Sequence, residues 1–153
     1  MELDSLYQEV ILDHYKRPHH KGLSAEKDVQ VHHVNPSCGD EITLNLSLQN
    51  GRVQSLSWDG VGCSISQASA SMMSELVKNQ ELNQAYDIMN NFSSLMASKG
   101  TEQGNEDLLE DAVSLAGVSK FPARVKCALL SWMAFKDASS QAVDVAKQKK
   151  ERK

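Results

Sequence analysis

Val29-Gln30-Val31-His32-His33-Val34-Asn35-Pro36-Ser37-Cys38-Gly39-Asp40-Glu41-Ile42-Thr43-Leu44-Asn45-Leu46-Ser47-Leu48-Gln49-Asn50-Gly51 is the stretch that decides the fold. Before the proline, Val29, Val31 and His33 alternate with Asp28, Gln30 and His32. After it, Ile42, Leu44, Leu46 and Leu48 alternate with Thr43, Asn45, Ser47 and Gln49. A period of two marks strands that bury one face. Asn35 to Asp40 supplies a turn, and Asn50-Gly51 is a strong hairpin signal. Val53, Leu56 and Trp58 lie in the returning strand, where the step from Val53 to Leu56 breaks alternation and predicts a bulge. The sum is an antiparallel meander of three strands near residues 28–59, whose apolar face helices must cover.

Working outward, the flanks read as helices. Leu3, Leu6, Tyr7, Val10, Ile11 and His14 recur at helical spacing over residues 3–16. Pro18 then ends the pattern, because the residue before a proline is pushed out of the α region. After Cys63, the residues Ile65, Ala68, Met72 and Leu76 mark a helix over 64–78, and Leu82, Tyr86, Met89 and Phe92 mark another. Ser98 to Asn105 reads as a loop and Asp107 to Leu115 as a short acidic helix. Pro122 suits the first turn of a last helix, with Val125, Leu129, Trp132 and Lys136 setting its period. The expected class is α+β, a three-stranded antiparallel sheet packed by helices on one face. Residues 1–138 form the expected domain, and 139–153 a helical extension or flexible basic tail.

The chain has 153 residues, enough for one domain with a core of its own. Its 16 Lys+Arg against 20 Asp+Glu give a net charge of −4. Residues 147–153 hold 5 of the basic residues and 1 acidic one, so the body carries 11 basic and 19 acidic residues, a net of −8. An acidic body excludes a nucleic-acid binder that relies on bulk electrostatics. No apolar run is long enough for a membrane span. Met1-Glu2-Leu3-Asp4 has neither a basic n-region nor a signal-peptide core, so a cytoplasmic location is expected.

Three cysteines remain to be explained, and on count alone two readings stand: buried small hydrophobes, or metal and thiol chemistry. Cys38 sits in the Pro36-Ser37-Cys38-Gly39-Asp40 turn. Asp40, two residues on, is either a ligand sharing an ion with Cys38 or a turn residue. Cys63 follows Gly60-Val61-Gly62 and precedes a helix, where the dipole and free N–H groups favour thiolate. The glycines let some other group approach closely. Cys127 lies in the second turn of the last helix and, taken alone, could be a core cysteine. Arg124 is three residues earlier, on the same side of the helix. No pair is CxxC, so only the fold could bring the three together. Three thiolates and Asp40 would then complete a tetrahedron. His14 reads as a packed helix residue, and His19, His20, His32 and His33 are assigned no metal role. The helical methionines read as core filling, and Trp58 and Trp132 as core anchors.

The ordered set Leu6-Tyr7, His14-Tyr15, Pro18, Asn35-Pro36, Cys38-Gly39-Asp40, Gly60, Gly62-Cys63, Ser66, Ser69 and the Cys127 helix resembles the U-type iron–sulfur cluster assembly proteins, the IscU/NifU N-terminal/SufU group. The resemblance runs to about residue 137 and implies a SufE/NifU-like fold. Lys126 stands where the IscU branch has a His before the third Cys, and the stretch between the second and third Cys is longer. Both features are similar to the SufU branch.

That branch implies a zinc-dependent sulfur acceptor, a sulfurtransferase-like carrier that takes persulfide sulfur from a SufS-type cysteine desulfurase and serves downstream Suf assembly proteins. The alternative is a scaffold carrying a transient [2Fe–2S] cluster on the same ligands. The implied metal ligands are Cys38, Asp40, Cys63 and Cys127. Cys38 is the expected acceptor, freed when a desulfurase His takes its place on the zinc, with Arg124 as counter-charge.

Overall fold

The computed structural model describes residues 5–151, with side chains from Tyr7 to Lys150. Leu3 of the expected first helix, the side chain of Leu6, and Arg152 and Lys153 of the basic tail lie outside the described residues.

Helix α1 (Ser5–Lys16) leads through an irregular segment to strands β1 (Val29–Asn35), β2 (Asp40–Gln49) and β3 (Arg52–Val61). They form one antiparallel sheet in the order β1-β2-β3. Val31 faces Leu44 and Asn35 faces Asp40 in the first pair. Leu44 faces Trp58 and Leu46 faces Leu56 in the second. The register slips where Ser47 pairs Ser55 but Leu48 pairs Val53, so Gln54 is the extra residue of a bulge. This is the break in alternation that the Val53–Leu56 spacing predicts.

Four helices and a 3₁₀ segment complete the chain: α2 (Ser64–Val77), α3 (Leu82–Ala97), α4 (Glu106–Leu109), the 3₁₀ stretch Glu110–Lys120, and α5 (Pro122–Glu151). The sheet's apolar face (Val31, Ile42, Leu44, Leu46, Trp58) is buried. It packs under α5 and, beside β3, under α2. On the other face the polar segment before β1 covers Asn45 and Ser57: Asn45 Nδ2 donates to the Ser24 carbonyl at 2.8 Å, and the Ser24 amide donates to Ser57 Oγ at 2.9 Å. Trp58 and Trp132 are both fully buried, as anchors should be. The Trp132 ring stacks on Phe92 with centroids 4.6 Å apart.

The acidic helix expected over 107–115 is split in two. Asn105 caps α4, accepting the Leu108 amide through its side chain. Glu110 then takes φ +47°, where a right-handed helix cannot continue. The chain resumes as a 3₁₀ stretch that buries Ala112, Val113, Leu115 and Val118.

Helix α5 starts where Phe121 is extended ahead of Pro122, and it runs unbroken past residue 138. Phe135, Ala138, Ser139 and Ala142 are buried at helical spacing, small residues letting the rod lie close to the sheet. His33 Nε2 on β1 meets Asp137 Oδ2 at 2.8 Å, and Lys149 Nζ reaches Asp28 Oδ1 at 3.1 Å. His14 is held at both ring nitrogens, by Ser71 Oγ at 2.7 Å and Asp111 Oδ2 at 2.9 Å, so it ties α1 to α2 and to the 3₁₀ stretch. His19 and His20 both meet Glu75 Oε2, at 3.1 and 2.9 Å.

Candidate metal centre

The meander, the start of α2 and the second turn of α5 meet at one end of the sheet. The Cys38 turn is closed by the Cys38 and Gly39 amides, both donating to the Asn35 carbonyl at 3.2 and 3.0 Å. Gly39 takes φ +69°, a left-handed conformation that glycine adopts freely. This turn presents Cys38, half-buried, above Asp40, the first residue of β2. Cys127 comes from α5 and is fully buried.

Ligand atoms of Cys38, Asp40 and Cys127 all lie within 4.8 Å of one another, the one such group among the described residues. The Cys127 thiol donates to Cys38 Sγ at 3.0 Å and also reaches the Ala123 carbonyl at 3.5 Å. Cys38 Sγ lies 3.9 Å from the same carbonyl. Burial first, then the hydrogen bond to Cys38 and the nearby Asp40 and Cys63, push the Cys127 thiol well above the usual thiol range. Without a cation Cys127 therefore holds its proton.

Asp40 is only 1% exposed. Its Oδ1 accepts the Cys63 amide at 2.9 Å. Its Oδ2 is buried with no hydrogen-bond partner. A buried carboxylate oxygen without a donor is costly unless something else satisfies it. One hard oxygen beside two soft sulfurs is a donor set that suits a zinc ion. The residues present therefore fit a divalent metal, with Asp40 Oδ2 the open oxygen.

Cys63 is placed differently. It is the N-cap residue of α2, half-buried, and its side chain caps nothing. Its sulfur stands outside the group of three, but its amide fixes the Asp40 carboxylate. The glycines before it now have their reason. A Cβ on Gly62 would collide with the Asp40 carboxylate and the Ser66 hydroxyl, and one on Gly60 with the Glu41 carbonyl. The group that approaches closely is Asp40 itself. Arg124 is exposed on the first turn of α5, and among the described residues its side chain holds no hydrogen bond or ion pair.

Two features of the centre have no signature in the sequence. One is the Ala123 carbonyl under both sulfurs. The other is the pair of bonds at Ser69, which donates to the Ala128 carbonyl at 2.6 Å and accepts the Trp132 indole N–H at 3.0 Å.

The chain is similar to several known proteins. The chain is 46% identical over 132 residues to the zinc-dependent sulfurtransferase SufU of Bacillus subtilis, covering 86% of this chain and 88% of that one. It is 38% identical over 144 residues to the iron–sulfur cluster assembly scaffold protein IscU of Streptococcus pyogenes, covering 94% and 88%. A solved candidate assembly scaffold for the SUF system from Fervidobacterium islandicum superposes with TM-score 0.75 at 30% identity, covering 88% and 96%. A NifU-like N-terminal structure from Brucella abortus, at 24% identity and TM-score 0.77 over 92% and 96%, shares the fold. The NifU-like N terminal domain matches residues 6–128, from α1 to the cysteine turn of α5, and the chain belongs to that family.

Proposed function

We propose that this chain accepts sulfane sulfur on Cys38 from a SufS-type cysteine desulfurase, at a zinc centre formed by Cys38, Asp40, Cys63 and Cys127, and passes it on for iron–sulfur cluster assembly in the cytoplasm. The observation that carries the reading is the Cys38–Asp40–Cys127 cluster with its unpartnered buried Asp40 Oδ2, in a chain 46% identical to a zinc-dependent sulfurtransferase. Bound zinc would hold the cysteines as thiolates, and Cys63 would complete the set by turning its side chain inward from the N-cap.

The residues divide the work by how firmly each is held. Cys127, on α5, is fully buried and cannot reach a partner. Cys38 is on a turn, half-exposed, and is the thiol that can come away. Its thiolate attacks the outer sulfur of the desulfurase persulfide. The S–S bond of that persulfide breaks, a new S–S bond forms on Cys38, and the desulfurase cysteine leaves as thiolate, with no net oxidation. Arg124, exposed on α5 three residues before Cys127, supplies positive charge for the Cys38 persulfide. Downstream Suf assembly proteins are its expected recipients.

The test is sulfur transfer and desulfurase turnover with wild type against Cys38→Ala, together with metal content. Wild type should carry about one zinc per chain, and the variant should neither accept sulfur nor stimulate turnover. Near-normal stimulation by Cys38→Ala would sink the assignment. A second reading, a scaffold for a [2Fe–2S] cluster on the same ligands, draws on the 38% identity to an IscU scaffold. Anaerobic reconstitution followed by transfer to an apo-protein separates the two.

A further inference from the structure

We infer that Ser69 is a positioning residue for the metal centre, setting the separation of α2 and α5 and so of Cys63 and Cys127; this rests on the metal-centre reading above. Ser69 is fully buried on α2, six residues beyond Cys63. Its hydroxyl donates to the carbonyl of Ala128, the residue after Cys127, at 2.6 Å. An indole N–H can only donate, so Trp132 donates to Ser69 Oγ at 3.0 Å and leaves the serine proton for Ala128. Trp132 is itself fixed by its stack on Phe92. The direction of the whole series is therefore determined.

The ligand-bearing segments are joined in sequence by two such bonds. Asp40 Oδ1 ties β2 to the Cys63 amide. Ser69 ties α2 to the turn of α5 that carries Cys127. Helices move as stiff units, so a shift at Ser69 is delivered to both cysteines, while metal–ligand distances tolerate only about 0.2 Å. The other described α2 serines with side-chain bonds do not cross to a second ligand-bearing element. Ser66 bonds back to the Cys63 carbonyl, and Ser71 and Ser74 bond toward His14 and His19.

The experiment uses the full chain carrying Ser69→Ala, with Ser74→Ala as a control of equal burial on the same helix. Zinc affinity is measured by competition with a chromophoric chelator, coordination by cobalt(II) absorption, and folding by circular dichroism. Ser69→Ala should weaken zinc binding by roughly 10-fold or more and alter the cobalt bands, Ser74→Ala should stay within about twofold of wild type, and Ser69→Thr should recover most of the affinity. Ser69→Ala with wild-type affinity and cobalt spectrum overturns the inference, as does an equal loss in Ser74→Ala. If Ser69→Ala does not fold, Trp132→Phe carries the test, since it removes the indole N–H while leaving a smaller aromatic ring in the core. Weakened binding then supports the role and wild-type binding overturns it. Wild-type protein that takes up neither metal overturns the metal-centre reading and this inference together, whereas metal-binding wild type with an unaltered Ser69→Ala overturns this inference alone.

Discussion

Asp40 on β2 and Cys63 at the cap of α2 are joined by a 2.9 Å bond from the Cys63 amide to Asp40 Oδ1. This bond uses one carboxylate oxygen and leaves the other buried and unpartnered, in a carboxylate grouped with the Cys38 and Cys127 sulfurs. The aspartate is thus oriented before any ion arrives, and its two oxygens have separate duties.

Asp40→Asn keeps an oxygen for the Cys63 amide and removes the charge. The fold should persist, with zinc affinity falling by roughly 10-fold or more. Chelator competition checks it, and an unchanged affinity would exclude Asp40 as a ligand.

Gly62→Ala should disturb Asp40 Oδ1, the oxygen bonded to the Cys63 amide, because the added Cβ meets it and the Ser66 hydroxyl. Overpacking of this kind costs about 1–3 kcal/mol. Thermal melting and zinc content should fall together. A variant that melts and loads like wild type would mean that the chain relaxes around the methyl group.

The raised pKa of Cys127 gives the metal-free protein a pH dependence of known sign. The folded state favours the neutral thiol, so the stabilisation is fully present below the ordinary thiol value of 9.0 and is lost as pH rises above it. Chelator-treated protein should lose melting temperature from pH 8 to 10 more steeply than Cys127→Ala, and zinc should flatten the decline. Parallel curves for the two metal-free proteins would refute this.

Ending the chain after residue 138 removes Ser139, whose Oγ meets the Tyr86 hydroxyl at 2.9 Å, and the buried Ala142. It also removes Lys149, the partner of Asp28. The melting temperature should fall by several degrees, each 1 kcal/mol being worth about 2–4 °C at this size. An unshifted melt would show that the last turns of α5 add nothing to the domain.

The meander was open to reading because alternation, Asn50-Gly51 and the Val53–Leu56 break are local signals, and local backbone geometry produced each of them. Helices α1, α2 and α3 were visible for the same reason. Glu110 was not, since nothing in Glu110-Asp111-Ala112 announces a positive φ; packing of Leu109, Ala112 and Val113 into the core imposes it. Pro122 marks the start of the last helix locally, whereas the polar sequence after Ala138 masks the small residues Ser139 and Ala142 that bury its continuation. At the site, the motifs named Cys38, Asp40, Cys63 and Cys127. They could not show that Cys63 contributes its backbone to Asp40, nor that Ser69 reaches Ala128, because partners 23 and 59 positions apart leave no periodic trace.

The cluster draws on a turn, a strand and a helix, and its last member is residue 127. During synthesis the sheet and α2 are complete while α5 is still unmade. A half-translated chain offers only Cys38, Asp40 and Cys63, without the rod that presses Cys127 against them. The cluster is therefore completed late in biosynthesis, only once α5 has been made and docked.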